Sequence, residues 1–208
     1  MTNVYETIKE IREYAEKNNV PIMMDDGIKY LINYINKNQV KSVLEIGTAI
    51  GYSAIMMALS NKDLFITTIE RDEKRYLEAL KNIKKLNLEN RITLVFNDAL
   101  DANIPEKFDL IFIDAAKAQS IKFFEKFEKN LNPDGTIITD NIKFHGLVDK
   151  KEEEIESRNL RALVRKVKNY IEFLRTNEHY KTEFLDIGDG LSVSKKLNWN
   201  RNRWVLCI

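Results

Sequence analysis

The residues able to do chemistry cluster at the ends of five apolar runs. LEIGTAIGYSA, residues 44–54, places Gly47 and Gly51 where one such run gives way to a helical pattern. Glycine there permits a tight turn and close backbone approach, and the helix start behind it offers unpaired N–H groups to an anion. Glu70 closes the next run, 23 residues after Gly47, where an acidic side chain can accept hydrogen bonds from both hydroxyls of a ribose. Asn97-Asp98-Ala99 closes the third, where the edge of a base would lie. The spacing Glu-x-Gly-x-x-x-Gly, in place of Gly-x-Gly-x-x-Gly, argues against a nicotinamide dinucleotide. Taken singly, the glycines fit a plain strand-to-helix turn equally well. Three successive run ends with a glycine turn, an acid and a polar pair make a nucleoside site.

The fourth and fifth runs end in IDAAK and ITDNIKF, which brings Asp114, Asp140 and Asn141 to neighbouring positions. Two carboxylates and an amide oxygen, without cysteine or histidine, suit a hard cation that keeps several waters: Mg²⁺, or else Ca²⁺ or Mn²⁺. Each aspartate alone reads as a cap after a strand. Their coincidence with Asn141 and the glycine turn favours the metal. Lys117 follows Asp114 by three residues and, taken alone, is an exposed first-turn lysine. His145 reads as an exposed loop histidine, and His179 has no special role.

These residues need a scaffold, and the pattern supplies one. Residues 5–18 carry Tyr5, Ile8, Ile11 and Ala15 at helical spacing, and Ile28, Leu31, Ile32 and Ile35 repeat likewise, with Asp25 or Asp26 available as a cap. Apolar runs at 42–46, 64–69, 92–96, 109–113 and 136–139 are of the buried-strand type. Helical patterns separate them at about 51–61, 72–88 and 117–131. The alternation predicts an α/β fold, a mostly parallel sheet with helices on both faces. A further helix over 155–176 carries Leu160, Leu163, Val164, Val167, Ile171 and Leu174, preceded by a charge run at 149–156 read as a solvated loop or helix start. Strands near 182–187 and 191–195 flank Gly188-Asp189-Gly190, so one of them runs antiparallel. Residues 1–196 form a single domain, with helices in 1–38, and 197–208 fits no element.

The 33 basic and 32 acidic residues leave a net charge of +1, which excludes a strongly basic nucleic-acid footprint over the whole chain but not a local patch. No apolar run approaches the ~20 residues of a membrane span. The polar N-terminus has no signal-peptide pattern. The single cysteine, Cys207, excludes an internal disulfide, suits a reducing cytoplasm, and has no evident base to make it a nucleophile.

With these residues placed, the chain over roughly 25–196 resembles the S-adenosylmethionine-dependent methyltransferases. More specifically, it resembles the metal-dependent O-methyltransferases that include catechol and caffeoyl-coenzyme A O-methyltransferases and their bacterial relatives. EIGTAIGYSA is among the more specific parts. The resemblance implies a Rossmann-like, seven-stranded sheet with one antiparallel strand. It implies that Glu45, Gly47 and Ser53 hold the methionine end, Ser53 near the carboxylate, with Tyr52 beside them. Glu70 would bind ribose, Arg71, Asp98 and Ala99 would border the adenine, and Asp114 would serve both cofactor and catalysis. Asp114, Asp140 and Asn141 match the family's metal ligands, and Lys117 in D-x-x-K matches its base, pushed toward the neutral form by the cation and the sulfonium.

The acceptor must be an ionisable hydroxyl beside a second oxygen. Catechols qualify, and so does 5-hydroxyuracil. IDAAKAQSIKFFEKF and DNIKFHGLV are more similar to bacterial tRNA 5-hydroxyuridine methyltransferases than to plant enzymes, which carry an acidic residue at Ala116 and a tryptophan at Phe144. The expectation is methylation of 5-hydroxyuridine at the tRNA wobble position, with a small phenolic acceptor as the alternative. Lys143, His145, Lys150 and Lys151 would then face RNA phosphates, or else remain solvated loop charges. A homodimer touching through the N-terminal helix, and no membrane partner, complete the expectation.

Overall fold

The computed structural model describes residues 3–197, and the tail carrying Cys207 lies outside the described residues. The described elements are α1 (Val4–Lys17), α2 (Asp25–Lys37), β1 (Ser42–Ile46), α3 (Tyr52–Ser60), β2 (Phe65–Glu70), α4 (Glu73–Lys85), β3 (Ile92–Phe96), β4 (Phe108–Ile113), α5 (Ser120–Phe127), β5 (Leu131–Asp140), α6 (Arg158–Thr176), β6 (Tyr180–Leu185) and β7 (Leu191–Lys196). The seven strands form one sheet in the order β3-β2-β1-β4-β5-β7-β6. β1 to β5 pair in parallel, and β7 slots antiparallel between β5 and β6. Strand order reverses direction between β1 and β4, the kind of switch point where strand ends diverge and leave a crevice.

The central strands read as unbroken apolar runs because both faces are covered. Side chains alternate between faces, so Val43 and Phe112 enter one core while their neighbours Leu44 and Ile111 enter the other. The first core takes Ile11, Leu31, Ile35, Ile55 and Ile83 from α1–α4. The second takes Phe123, Phe124 and Phe127 from α5, with Tyr170 and Leu174 from α6. No helix among the described residues is long and apolar enough to cross a membrane.

Several boundaries depart from the periodicity. α2 begins at Asp25 without a side-chain cap, so neither Asp25 nor Asp26 has the expected capping role. Asp25 pairs instead with Arg12, and Asp26 accepts from Gly27 N and from Gly188 N, far along the chain. The stretch 117–131 is split: 3₁₀ turns at Lys117–Gln119 and Glu128–Asn130 flank the short α5. β5 starts at Leu131, ahead of the apolar run, and its pairing with β4 shifts register near Phe108. α6 starts at Arg158 because Ser157 caps it, leaving a 3₁₀ turn at Glu152–Glu154 in the charge run.

Candidate active site

The turn after β1 is built by close approach. Gly47 has φ +101°, and a Cβ there would lie 2.3 Å from the Asp114 carbonyl oxygen at the end of β4. Ala49 also takes a positive φ, 47°, which aims its N–H at Glu70 Oε2, 2.8 Å away. Glu70 Oε1 accepts from Arg71 N and Asp72 N at 2.9 and 2.8 Å. This buried carboxylate is therefore fixed by backbone yet keeps lone-pair capacity for a diol. Arg71 pairs with Asp98 at 3.1 Å, and Asp98 also accepts from Leu100 N, which holds its carboxyl below the usual range.

These residues wall one cavity of about 460 Å³ along the strand ends. Gly47, Tyr52, Ser53, Glu70, Arg71, Asp98 and Ala99 line the half at the ends of β1, β2 and β3, and Asp114, Lys117, Asp140 and Asn141 line the half at the ends of β4 and β5. Sequence reasoning missed the roof, Pro21–Met24, although an apolar PIMM too short for a strand and set before a helix was a signal. Tyr52 meets that roof through Arg12: the guanidinium bonds the phenol oxygen, lies 5.2 Å from the ring centroid, and pairs with Asp25 at 2.5 Å. Phe144 and His145 line the cavity after the Asp140-Asn141 pair.

Glu45 does not line the cavity. It is fully buried in β1, accepting from Ser53 Oγ and Thr68 Oγ1, each at 2.5 Å, so any hold on a ligand passes through Ser53. Burial pushes its carboxyl up to about 7, against the pull of those two hydroxyls. Between about pH 4.5 and 7 the folded chain keeps a proton that the unfolded chain releases, so stability should fall as pH rises through that window. Glu45→Gln is expected to flatten this fall, which amounts to at most about 3 kcal/mol. Urea midpoints of both proteins at several pH values check it.

At the other end, Lys117 Nζ lies 2.9 Å from Asp114 Oδ1 and 3.1 Å from the Asp140 carbonyl oxygen. Asn141 Nδ2 lies 3.2 Å from Asp114 Oδ1 and 3.0 Å from Asp140 Oδ2. Asn141 adopts φ 62°, a left-handed turn that swings its amide back toward the two acids. Burial, helped by the Asp114 charge, raises the Asp140 carboxyl, and Lys117 opposes this. The Asn141 amide N–H thus bridges the two carboxylates, while the Lys117 ammonium bridges the Asp114 carboxylate and the main-chain carbonyl of Asp140. That donor set fits a hard divalent cation completed by water. Among the described residues, no three His, Cys, Asp or Glu side chains form a metal cluster, so such a cation would depend on the Asn141 amide oxygen.

A cavity at the switch point of a doubly wound sheet, with an acidic pair in its wall, is the arrangement of a Rossmann-like enzyme. The sequence pattern of the O-methyltransferase family matches residues 2–197, and the chain belongs to that family. A candidate caffeoyl-CoA O-methyltransferase from Staphylococcus aureus is 42% identical, over 91% of this chain and 92% of that one, with a TM-score of 0.87. The O-methyltransferase of Bacillus cereus, solved with S-adenosylhomocysteine, is 27% identical over 92% and 91% of the two chains, TM-score 0.78. The caffeoyl-CoA O-methyltransferase of Populus kitakamiensis is 26% identical, covering 93% of this chain and 87% of its own. The chain is an S-adenosylmethionine-dependent O-methyltransferase of the caffeoyl-CoA type.

Proposed function

We propose that the enzyme methylates a hydroxyl with a second oxygen beside it, on a catechol-type small molecule, with the help of Mg²⁺ or a similar cation held by Asp114, Asp140 and Asn141. The observation that carries this is the convergence of those three side chains and Lys117, linked by contacts of 2.9 to 3.2 Å from Lys117 to Asp114 and from Asn141 to both acids, at the end of the cavity away from Glu70. When bound, such a cation lowers a hydroxyl's pKa and orients the oxyanion. The chain's own residues do the rest. Glu70 takes the ribose hydroxyls, Ser53 meets the methionine end, and the Pro21–Met24 roof excludes water. Asp114 and the Asp140 carbonyl aim Lys117 Nζ at the position where the acceptor loses its proton. Holding two reactants in line in this way removes on the order of 7–11 kcal/mol of barrier. A homodimer joined through α1, where Val4 and Tyr5 stand exposed, belongs to the same reading.

The names of the similar proteins favour the small phenolic acceptor. The second reading, 5-hydroxyuridine at the tRNA wobble position, draws on the residues around Lys117 and Phe144 and on the exposed Lys150 and Lys151. Against it, Lys143 is paired with Asp186, and Glu152–Glu154 follow at once. Incubation with methyl-labelled S-adenosylmethionine, Mg²⁺ and either catechol or hydroxyuridine-bearing tRNA tests both. Label in the catechol is the expected result. Label in the tRNA alone transfers the conclusion to the second reading.

A further inference from the structure

The turn between β6 and β7 reads from sequence as a simple reversal, yet it clasps the rim of the cavity. Lys143 N donates to the Asp189 carbonyl at 2.8 Å and Ile142 N to the Gly190 carbonyl at 3.1 Å. The Asp189 carboxylate goes further: its Oδ1 accepts from His145 N at 2.6 Å, and its Oδ2 faces His145 Nδ1 at 3.4 Å. The approach is tight enough that a Cβ on Gly190 would lie 2.7 Å from Lys143 Cγ. Phe144 and His145 both adopt a positive φ, 47° and 56°, which costs backbone strain unless the surroundings impose it. On its other side the turn is tied to α2, where Gly188 N donates to Asp26 Oδ2 at 2.9 Å.

Asp189 is only 9% exposed and its Oδ2 has no hydrogen-bond partner, whereas the His145 side chain is 77% exposed at the cavity rim. A buried carboxylate oxygen left without a donor is disfavoured, and the imidazole Nδ1 is the donor in place to relieve it. An Nδ1–H held there fixes the tautomer and leaves Nε2 with its lone pair. We propose that Asp189 is a positioning residue which holds His145 in the Nδ1–H tautomer, and that Nε2 then accepts a hydrogen bond from the methyl acceptor. His145 would thereby select acceptors bearing a donor group outside the oxygen pair that meets the metal ligands. This rests on the acceptor occupying the Asp140 end of the cavity.

Long-range ¹H–¹⁵N spectra of the full chain, recorded well above the ordinary imidazole pKa of about 6.5, read the tautomer without any substrate. The chain has 2 histidines, so His179→Ala assigns them. The expected result is Nδ1–H for His145, changing in Asp189→Ala to the Nε2–H form of free histidine. A wild-type His145 already in the Nε2–H form overturns the proposal, as does an Nδ1–H form that survives Asp189→Ala. With 3,4-dihydroxybenzyl alcohol, a catechol that carries a further hydroxyl, as acceptor, His145→Ala should raise the acceptor KM about tenfold, one hydrogen bond's worth, with kcat and S-adenosylhomocysteine affinity unchanged. The same substitution should leave the KM for unsubstituted catechol as it is. An unchanged acceptor KM, or an equal loss of cofactor affinity, overturns the His145 contact. If wild-type enzyme ignores catechol, the acceptor assignment fails by itself, and the tautomer still decides the role of Asp189.

Discussion

Asp140→Ala is expected to slow methyl transfer about a thousandfold, roughly 4 kcal/mol of lost transition-state stabilisation, while S-adenosylhomocysteine still binds. The split follows from where the groups stand. Asp140 shares its end of the cavity with Asp114, Asn141 and Lys117, whereas Glu70 and the Asp98 pair occupy the other half. The fold should not suffer. Burial and the facing Asp114 already raise the Asp140 carboxyl, so its charged form is a cost to the folded chain at neutral pH, and removing it relieves that cost. Chelation of divalent cations should reproduce the loss in the wild-type enzyme, and added Mg²⁺ should reverse it. Full turnover after chelation, or in Asp140→Ala, would remove the cation from the proposed chemistry. Calorimetry with S-adenosylhomocysteine and a thermal melt accompany the kinetics, so a misfolded variant is recognised as such.

Gly47→Ala should be the most damaging alanine substitution among the glycines. The added Cβ would meet the Asp114 carbonyl oxygen at 2.3 Å and its carbon at 2.8 Å, both of them backbone atoms that no side-chain rotation can move. A φ of +101° is strained for any L side chain. Strain and overlap together are expected to cost about 3–5 kcal/mol, a large part of the 5–15 kcal/mol that typically holds a domain folded. Urea unfolding measures it. What survives folded should bind S-adenosylhomocysteine poorly, because relief requires parting β1 from β4 where the two halves of the cavity meet. Unchanged stability would mean that the end of β4 retreats freely.

How much of this was legible beforehand depends on the range of the interaction. β1 and β3 stand where their apolar runs predicted, and β2 and β4 within a residue, because parallel strands buried on both faces leave uninterrupted hydrophobic stretches. That the glycine turn, Glu70 and the Asp140-Asn141 pair would meet along one cavity was legible because strand ends converge at a switch point. Glu45, expected at the methionine end, stands outside the cavity with Ser53 bonded to it, because sequence shows that a residue nears the end of a strand but not what the following helix sets beside it. The Arg12–Tyr52–Asp25 fastening of the roof was invisible, since it joins residues 40 and 13 positions apart. The capping expectation for Asp26 failed for the same reason: its second partner, Gly188, is 162 residues away. α5 came out shorter than its apolar pattern because 3₁₀ turns took up both ends.

The clasp between residues 142–145 and 189–190 bears on redesign of this enzyme. Each segment imposes its conformation on the other through paired amides and a glycine packed against a lysine stem, so they behave as a single cassette. Grafting a foreign rim loop alone would leave the donor's left-handed residues unsupported and Asp189 facing the wrong partner. Exchanged together, the two segments would keep their mutual support, while the half of the cavity around Glu70 and Asp98 stays untouched.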